Sequence, residues 1–249
     1  ASSIEAIYFV TVNRILDNKN EEELYKKAIE VLAEVYKKNL NKFSQTSFLE
    51  NYSIEKLLEE SQLFIEWYLK KFLNLNILQI DINDFTAIIS KIFHSLDPKL
   101  EKLVLRDYHV DNLIHLSDRN GLRACGLLDF QDAVQGPASY DLVSLLQDSR
   151  RDINPSLRTK MLDRYFNGMA GKLDSENFMT SFYALGTQRA LKVFGIFTRQ
   201  SLKYGNHQYL VHIPRLWHHT LKNLSMPKLR PIQDWLLNNI SEDAINAEI

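Results

Sequence analysis

The sequence predicts a mainly α chain that carries one small β-hairpin, an α+β arrangement, and three observations point there. Apolar residues recur at helical spacing over long stretches before residue 96 and again after residue 139. Between them lies LVLRDYHVDNLIHLSDRNGLRACGLLDFQD, residues 103–132, whose short strand-like runs flank Asp118-Arg119-Asn120-Gly121. Asn-Gly between two such runs is a hairpin signal, because both turn positions need positive φ. Glycine is scarce: there are only 8 in 249 residues, and the first is Gly121, so residues 1–120 hold no glycine-rich phosphate loop.

Taken in order, residues 4–12 read as a strand. A helix follows from about Glu21 to Lys38, opened by Asn18 or Asn20, with Leu24, Ala28, Val31, Leu32, Val35 and Tyr36 on one face. Residues 39–52 are polar and loop-like. Ser53 opens a second helix whose Leu57, Leu58, Leu63, Phe64, Trp67, Tyr68 and Phe72 make an aromatic stripe, expected in the core rather than around a ligand. A third helix spans Asn83 to Ser95 and is closed off by Pro98. Beyond the hairpin, Gln131 to Ser139 is an irregular loop broken at Gly136-Pro137. Helices are then expected over 140–151, 156–171 and from Asp174 or Ser175 to Tyr204, with Trp235, Leu236 and Leu237 packing a last one.

The hairpin matters because it folds Asp129 back towards the loop that carries Asp107 and Asn112. Asp107 and Asn112 stand five apart, the D-x-x-x-x-N spacing of a kinase catalytic loop, and Asp129-Phe130 begins a metal-binding D-F element. Phosphoryl transfer needs a carboxylate beside the attacking hydroxyl and oxygen ligands that hold Mg²⁺ against the phosphates. Asp107 can take the first role, Asn112 and Asp129 the second. Singly, each is also an ordinary turn residue. The three together, in this order and between strands, are harder to explain that way. Asp132 is either a further metal or water ligand or a loop hydrogen-bonder, and Asp141 suits the first turn of its helix through the dipole whatever else it does.

LRDYHVDNL and GLLDFQDAVQGPASYDLVSLLQDSRRDI resemble the aminoglycoside phosphotransferase family, and within it bacterial kinases that phosphorylate N-acetylmuramate and N-acetylglucosamine at the anomeric hydroxyl. The resemblance implies a protein-kinase-like fold and a reaction with ATP and Mg²⁺. It matches Asp107 to the catalytic aspartate, Asn112 and Asp129 to the metal pair, and Asp141 to a structural aspartate that braces the catalytic loop, with His109 and Asp132 in support. Many relatives have a histidine two residues before the aspartate, where this chain has Leu105. Kinase-like folds clamp ATP between two lobes, and the chain looks like the carboxy-terminal one. Residues 1–12 then read as a hinge or the last strand of a missing amino-terminal lobe, separate or removed, and 13–249 as the helical lobe. The alternatives are a non-catalytic or incomplete binding module, or a kinase for another small alcohol such as choline or an aminoglycoside.

TQRALKVFGIFTRQSLKYGNHQYLVHIPR, residues 187–215, also looks like the amino-sugar subgroup. Arg189, Lys192 and Arg199 interrupt its apolar pattern on nearly one face. They are either snorkelling surface cations or cleft residues that hold an anionic or hydroxyl-rich substrate. His212, His218 and His219 invite a metal reading, but His212 and His219 are about two turns apart and carboxylates are absent nearby. A net charge of -1 gives no reason to expect nucleic acid or an anionic membrane as partner. No apolar run is long enough to span a bilayer and no signal segment is evident, so a cytoplasmic protein is the default expectation. The single Cys125 excludes an internal disulfide and is expected as a small buried hydrophobe.

Overall fold

The computed structural model describes residues 11–37, 49–96, 101–169 and 174–241. Most of the expected strand over residues 4–12, the loop over 39–48 and Pro98 lie outside them. At the described start, Thr11 makes a single antiparallel bridge to Ile114, and Val12–Ile15 (α1) is already a helical turn.

Helix α2, Glu21–Lys37, begins with three glutamates and ends on Lys37, the charge order that suits a helix dipole. Asn20 does not cap it: its side chain faces back, accepting from the Asp17 N–H at 2.9 Å and donating to the Ile15 carbonyl at 2.7 Å. The buried face is Leu24, Tyr25, Ala28, Ile29, Leu32, Ala33 and Tyr36, rotated from the expected one so that Val31 and Val35 sit at its edge. Helix α6, Pro155–Met169, packs on this side, and Lys160–Glu22 at 2.8 Å and Arg164–Glu30 pair across the seam.

Ser53 caps α3, Ile54–Leu63, by accepting from the Lys56 N–H. The chain continues without a break into a π-helical stretch, Phe64–Phe72. The expected aromatic stripe is core: Phe64 and Tyr68 meet Phe194 and Trp217, with centroids 4.7 Å apart for Tyr68 and Phe194, and the Trp217 Nε1–H donates to the Tyr68 hydroxyl at 2.8 Å. Helix α4 starts at Gln79 rather than Asn83 and runs to His94, because Asp81 reaches back to the Leu78 N–H.

Four short strands follow: β1, Glu101–Val104; β2, Leu113–His115; β3, Cys125–Leu127; and β4, Val134–Pro137. β2 and β3 form the expected hairpin, His115 opposite Cys125, but the Asn-Gly turn is not the two-residue type. Asn120 keeps φ −114° and only Gly121 is positive, at 60°, since residues 121–124 coil into one 3₁₀ turn that buries Ala124 under α2. β4 corrects the reading of 131–139 as irregular. It pairs antiparallel with β1, and Pro137 is tolerated because it closes the strand opposite Glu101.

Helix α5, Ser139–Leu146, stops short of Arg151 because the Gln147 amide leaves the helix to exchange two bonds with Asn223, at 2.8 and 2.9 Å. Helix α7, Ser175–Tyr204, is the spine: Asp174 caps it, Gly205 ends it at φ 68°, and α3, the π-helix, α5 and α8 (Ile213–Leu224) pack round it. Helix α9, Arg230–Asn239, covers α4 through Trp235, whose Nε1–H donates to the Asp81 carbonyl; Leu237 is exposed rather than packed.

The α3–α7 crossing has no room to spare. A Cβ on Gly195 would lie 2.4 Å from the Leu63 carbonyl, backbone that cannot swing aside. Gly195→Ala should therefore lower stability by about 1–3 kcal/mol or more, although alanine favours a helix. Urea melts check this: the midpoint should fall with an unchanged slope.

Candidate active site

Residues 105–112 are built outward from one buried carboxylate. Asp141, in the first turn of α5, is wholly buried and accepts from the Leu105 N–H at 2.7 Å and the Arg106 N–H at 2.8 Å, with the Tyr36 hydroxyl 3.4 Å away. Burial pushes its pKa up to about 7, while the two backbone N–H groups pull the other way by favouring the ionised form. Between those two N–H groups the chain turns left-handed: Arg106 has φ 71°, a conformation that costs a non-glycine residue about 1 kcal/mol. Its guanidinium then donates to Glu60 at 2.8 Å and lies over the Tyr52 ring. On the far side the buried Tyr108 hydroxyl donates to the Ala28 carbonyl at 2.7 Å. Asp107, pinned at both neighbours, is exposed.

Asn112 gathers the rest. Its Nδ2 donates to the Asp107 carbonyl at 3.0 Å, which leaves Oδ1 as an acceptor, and its own carbonyl accepts from the Leu128 N–H at 2.9 Å, one step past the β2–β3 ladder. Asp129 comes next, exposed and left-handed at φ 56°, with Gln131 donating to one carboxylate oxygen. Hydrogen bonds thus tie Asn112 to the Asp107 backbone on one hand and to Leu128, the residue before Asp129, on the other. An amide oxygen and a carboxylate free of cations suit a hard, oxygen-ligated ion. Asp132 is exposed and has no hydrogen-bond or ionic partner among the described residues. His109 is buried, and its pKa is lowered, by burial first and then by Arg189 and Arg150 against the opposing Asp148 and Asp107. Its Nδ1 has no hydrogen-bond partner, Asp111 being 3.9 Å away.

The three cations of α7 part company. Lys192 is tied to Glu60 at 2.9 Å. Arg189 is only 7% exposed, and its charge helps to lower the pKa of His109. Neither is a surface cation. Arg199, seven residues past Lys192 and so about 10 Å along the helix, is partly exposed and makes no hydrogen bond or ion pair among the described residues. Glu60 is the residue the sequence reading missed: it accepts from Arg106, Lys192, Tyr52 and, at 3.4 Å, Gln188. A glutamate on the same stripe as Leu57 and Phe64 was its signal. The histidines hold no metal arrangement, and among the described residues no three His, Cys, Asp or Glu cluster closely enough to share an ion. Cys125 is a thiol, its pKa raised by burial to about 11. A cavity of about 660 Å³ between α2 and α6 shares no lining residue with the 105–112 loop.

Residues 9–173 match a family described as the phosphotransferase enzyme family. The chain belongs to that family. Among the chain's relatives, the N-acetylmuramate/N-acetylglucosamine kinase of Caulobacter vibrioides is 33% identical over 173 residues, 70% of this chain and 47% of that one. Its counterpart from Neisseria meningitidis is 30% identical over 213 residues, 83% of this chain and 62% of that one. The chain therefore spans roughly half to three-fifths of the length of these curated relatives. Among solved structures, a choline/ethanolamine kinase family protein from Mesorhizobium loti superposes with TM-score 0.57 at 11% identity, covering 88% of this chain and 68% of that one. A choline kinase from Cryptosporidium parvum gives 0.51, also at 11%, covering 92% and 72%. At such identity the likeness is one of fold, which is protein-kinase-like.

Two expectations follow from these contacts. Glu60→Ala strands Arg106 and Lys192, whose side chains are mostly buried, and should cost about 3–5 kcal/mol in a denaturant melt. His219 is buried, and burial, then the charge of Arg158, lower its pKa from 6.5 to about 3. The folded chain thus binds fewer protons there than the unfolded one, so the stability it contributes is complete above about pH 6.5 and is lost as pH falls towards 3. His219→Gln should remove that slope: parent minus variant stability shrinks between pH 7 and 4, by up to about 1.4 kcal/mol per unit. Taking the difference at each pH cancels the opposite slope of Asp141.

Proposed function

We propose that this chain is the catalytic lobe of a small-molecule kinase, transferring the γ-phosphoryl group of ATP to a hydroxyl of an N-acetylated amino sugar. One arrangement carries the reading: exposed Asp107 and Asp129, with Asn112 bonded to the Asp107 carbonyl and to the Leu128 N–H, and the loop held by the buried Asp141. Asp107 accepts or orients the proton of the attacking hydroxyl, because its neighbours on both sides are anchored and its carboxylate is not neutralised by an ion pair among the described residues. Asn112, through Oδ1, and Asp129 would hold Mg²⁺. Bound there, the ion would supply positive charge that offsets the negative charge developing on the phosphates during transfer.

The amino-sugar acceptor is supported by the names of the relatives and by charge. Residues 178–216 contain Arg and Lys but no Asp or Glu. A cationic acceptor such as choline would call for carboxylates or an aromatic cage there. The nucleotide's other face is covered, in this reading, by an amino-terminal lobe.

Asp107→Asn should lower turnover by about 10²–10⁴-fold while Mg-ATP affinity stays within a few-fold of the parent. Asp129→Ala should instead weaken nucleotide binding only when magnesium is present, as calorimetry with and without the metal will show. Undiminished turnover in the asparagine variant refutes the role given to Asp107, and a non-catalytic module becomes the better description.

A further inference from the structure

Arg189 is the anomaly of the interior. It is 7% exposed, yet among the described residues no hydrogen bond or ion pair is made by its guanidinium. Five N–H donors and a full charge are rarely left so, because a buried cation without an acceptor is strongly destabilising. The neighbouring cations are satisfied: Lys192 and Arg106 share Glu60, and Arg158 donates to the Leu146 carbonyl. The buried carboxylate in this region, Asp148, lies beyond ion-pair distance of Arg189 and already accepts from the Arg150 N–H at 2.9 Å. The guanidinium nitrogens of Arg189 are not sealed off, unlike the Nε atoms of Arg106 and Arg199, so they open onto a space that solvent enters.

The neighbours of Arg189 on α7 place it near the catalytic loop: Gln188 and Lys192 both donate to Glu60, at 3.4 and 2.9 Å, and Glu60 also holds Arg106, the residue before Asp107. Lys192, three positions on, shares a helix face with Arg189. A buried fork of donors with no acceptor among the described residues marks where an acceptor would lie. A planar fork of N–H donors matches a carboxylate bidentately.

We propose that Arg189 is a specificity-determining residue, which receives the carboxylate of an acidic N-acetylated hexosamine whose hydroxyl is presented to Asp107. The inference rests on the amino-sugar reading and sharpens it. The relatives' names join one sugar that carries a lactyl carboxylate, N-acetylmuramate, with one that lacks it, N-acetylglucosamine. Arg189 separates them. Lys192 does not, since its ammonium is already bonded to Glu60 at 2.9 Å, and Arg199 lies further along α7.

The test needs binding alone. The full chain is titrated by calorimetry or ligand-observed NMR, with Mg²⁺ and a non-hydrolysable ATP analogue present, against N-acetylmuramate, its methyl ester and N-acetylglucosamine. On the parent, the free acid should bind about tenfold to a hundredfold tighter than the ester, and the ester about as well as N-acetylglucosamine. Arg189→Met should erase the preference, leaving N-acetylglucosamine within about threefold of the parent, and Arg189→Lys should restore part of it. Equal binding of acid and ester by the parent overturns the proposal without any variant, so a misfolded Arg189→Met does not shield it. A variant that weakens both sugars equally overturns it too. Binding of the magnesium-bound ATP analogue but of neither sugar removes the amino-sugar reading with it and leaves the phosphotransferase reading standing.

Discussion

A single carboxylate holds the site together. Asp141 is wholly buried and, apart from the Tyr36 hydroxyl, its partners are the Leu105 and Arg106 N–H groups, so the chain between β1 and the loop must present both donors in one direction. That demand turns Arg106 left-handed. The strain is maintained because letting go would leave a buried carboxylate and two buried donors unpaired, a larger penalty than the dihedral. The exposed candidate residues hang from this point: Asp107 is the next residue, Asn112 is fastened to the carbonyl of Asp107, and Asn112 in turn bonds Leu128, the residue before Asp129.

The Arg106 side chain extends the same constraint into the helical body. Through Glu60 it is linked to α3, and through Glu60 and Lys192 to α7. The loop is therefore attached to three helices, α3, α5 and α7, by buried polar contacts rather than by apolar packing alone. Such contacts are directional, which is what a site needs if a carboxylate is to be held at one place. Tyr52 completes the arrangement by bonding Glu60 and stacking near Arg106, and the same tyrosine leaves no room for a side chain at Gly136 on β4.

The kinase-like neighbours share this scaffold at identities near one residue in nine, so the architecture survives almost complete replacement of side chains. What a given chain accepts is then a property of its site and not of the fold. Three cations on one helix face do three different things here: Lys192 pairs with Glu60, Arg189 has no hydrogen-bond or ionic partner among the described residues, and Arg199 is partly exposed. Their shared residue type says nothing of this division.

Most helices and the order Asp107, Asn112, Asp129 were legible in the sequence, because helical periodicity, caps such as Ser53 and Asp174, and the spacing of a loop are properties of neighbours along the chain. Lengths failed where a distant partner intervened: α5 ends when Gln147 meets Asn223, 76 residues on, and β4 exists because β1 offers it an edge. The Asn-Gly turn failed for the same reason, since burial of Ala124 under α2 outweighed local turn preference. By itself the sequence determined which oxygen-bearing side chains the loop and hairpin would carry. Only the tertiary structure decided which charges are cancelled, as with Glu60 and Lys192, 132 residues apart, and which remain free to meet a ligand, because neutralisation depends on distance in space and on exclusion of water.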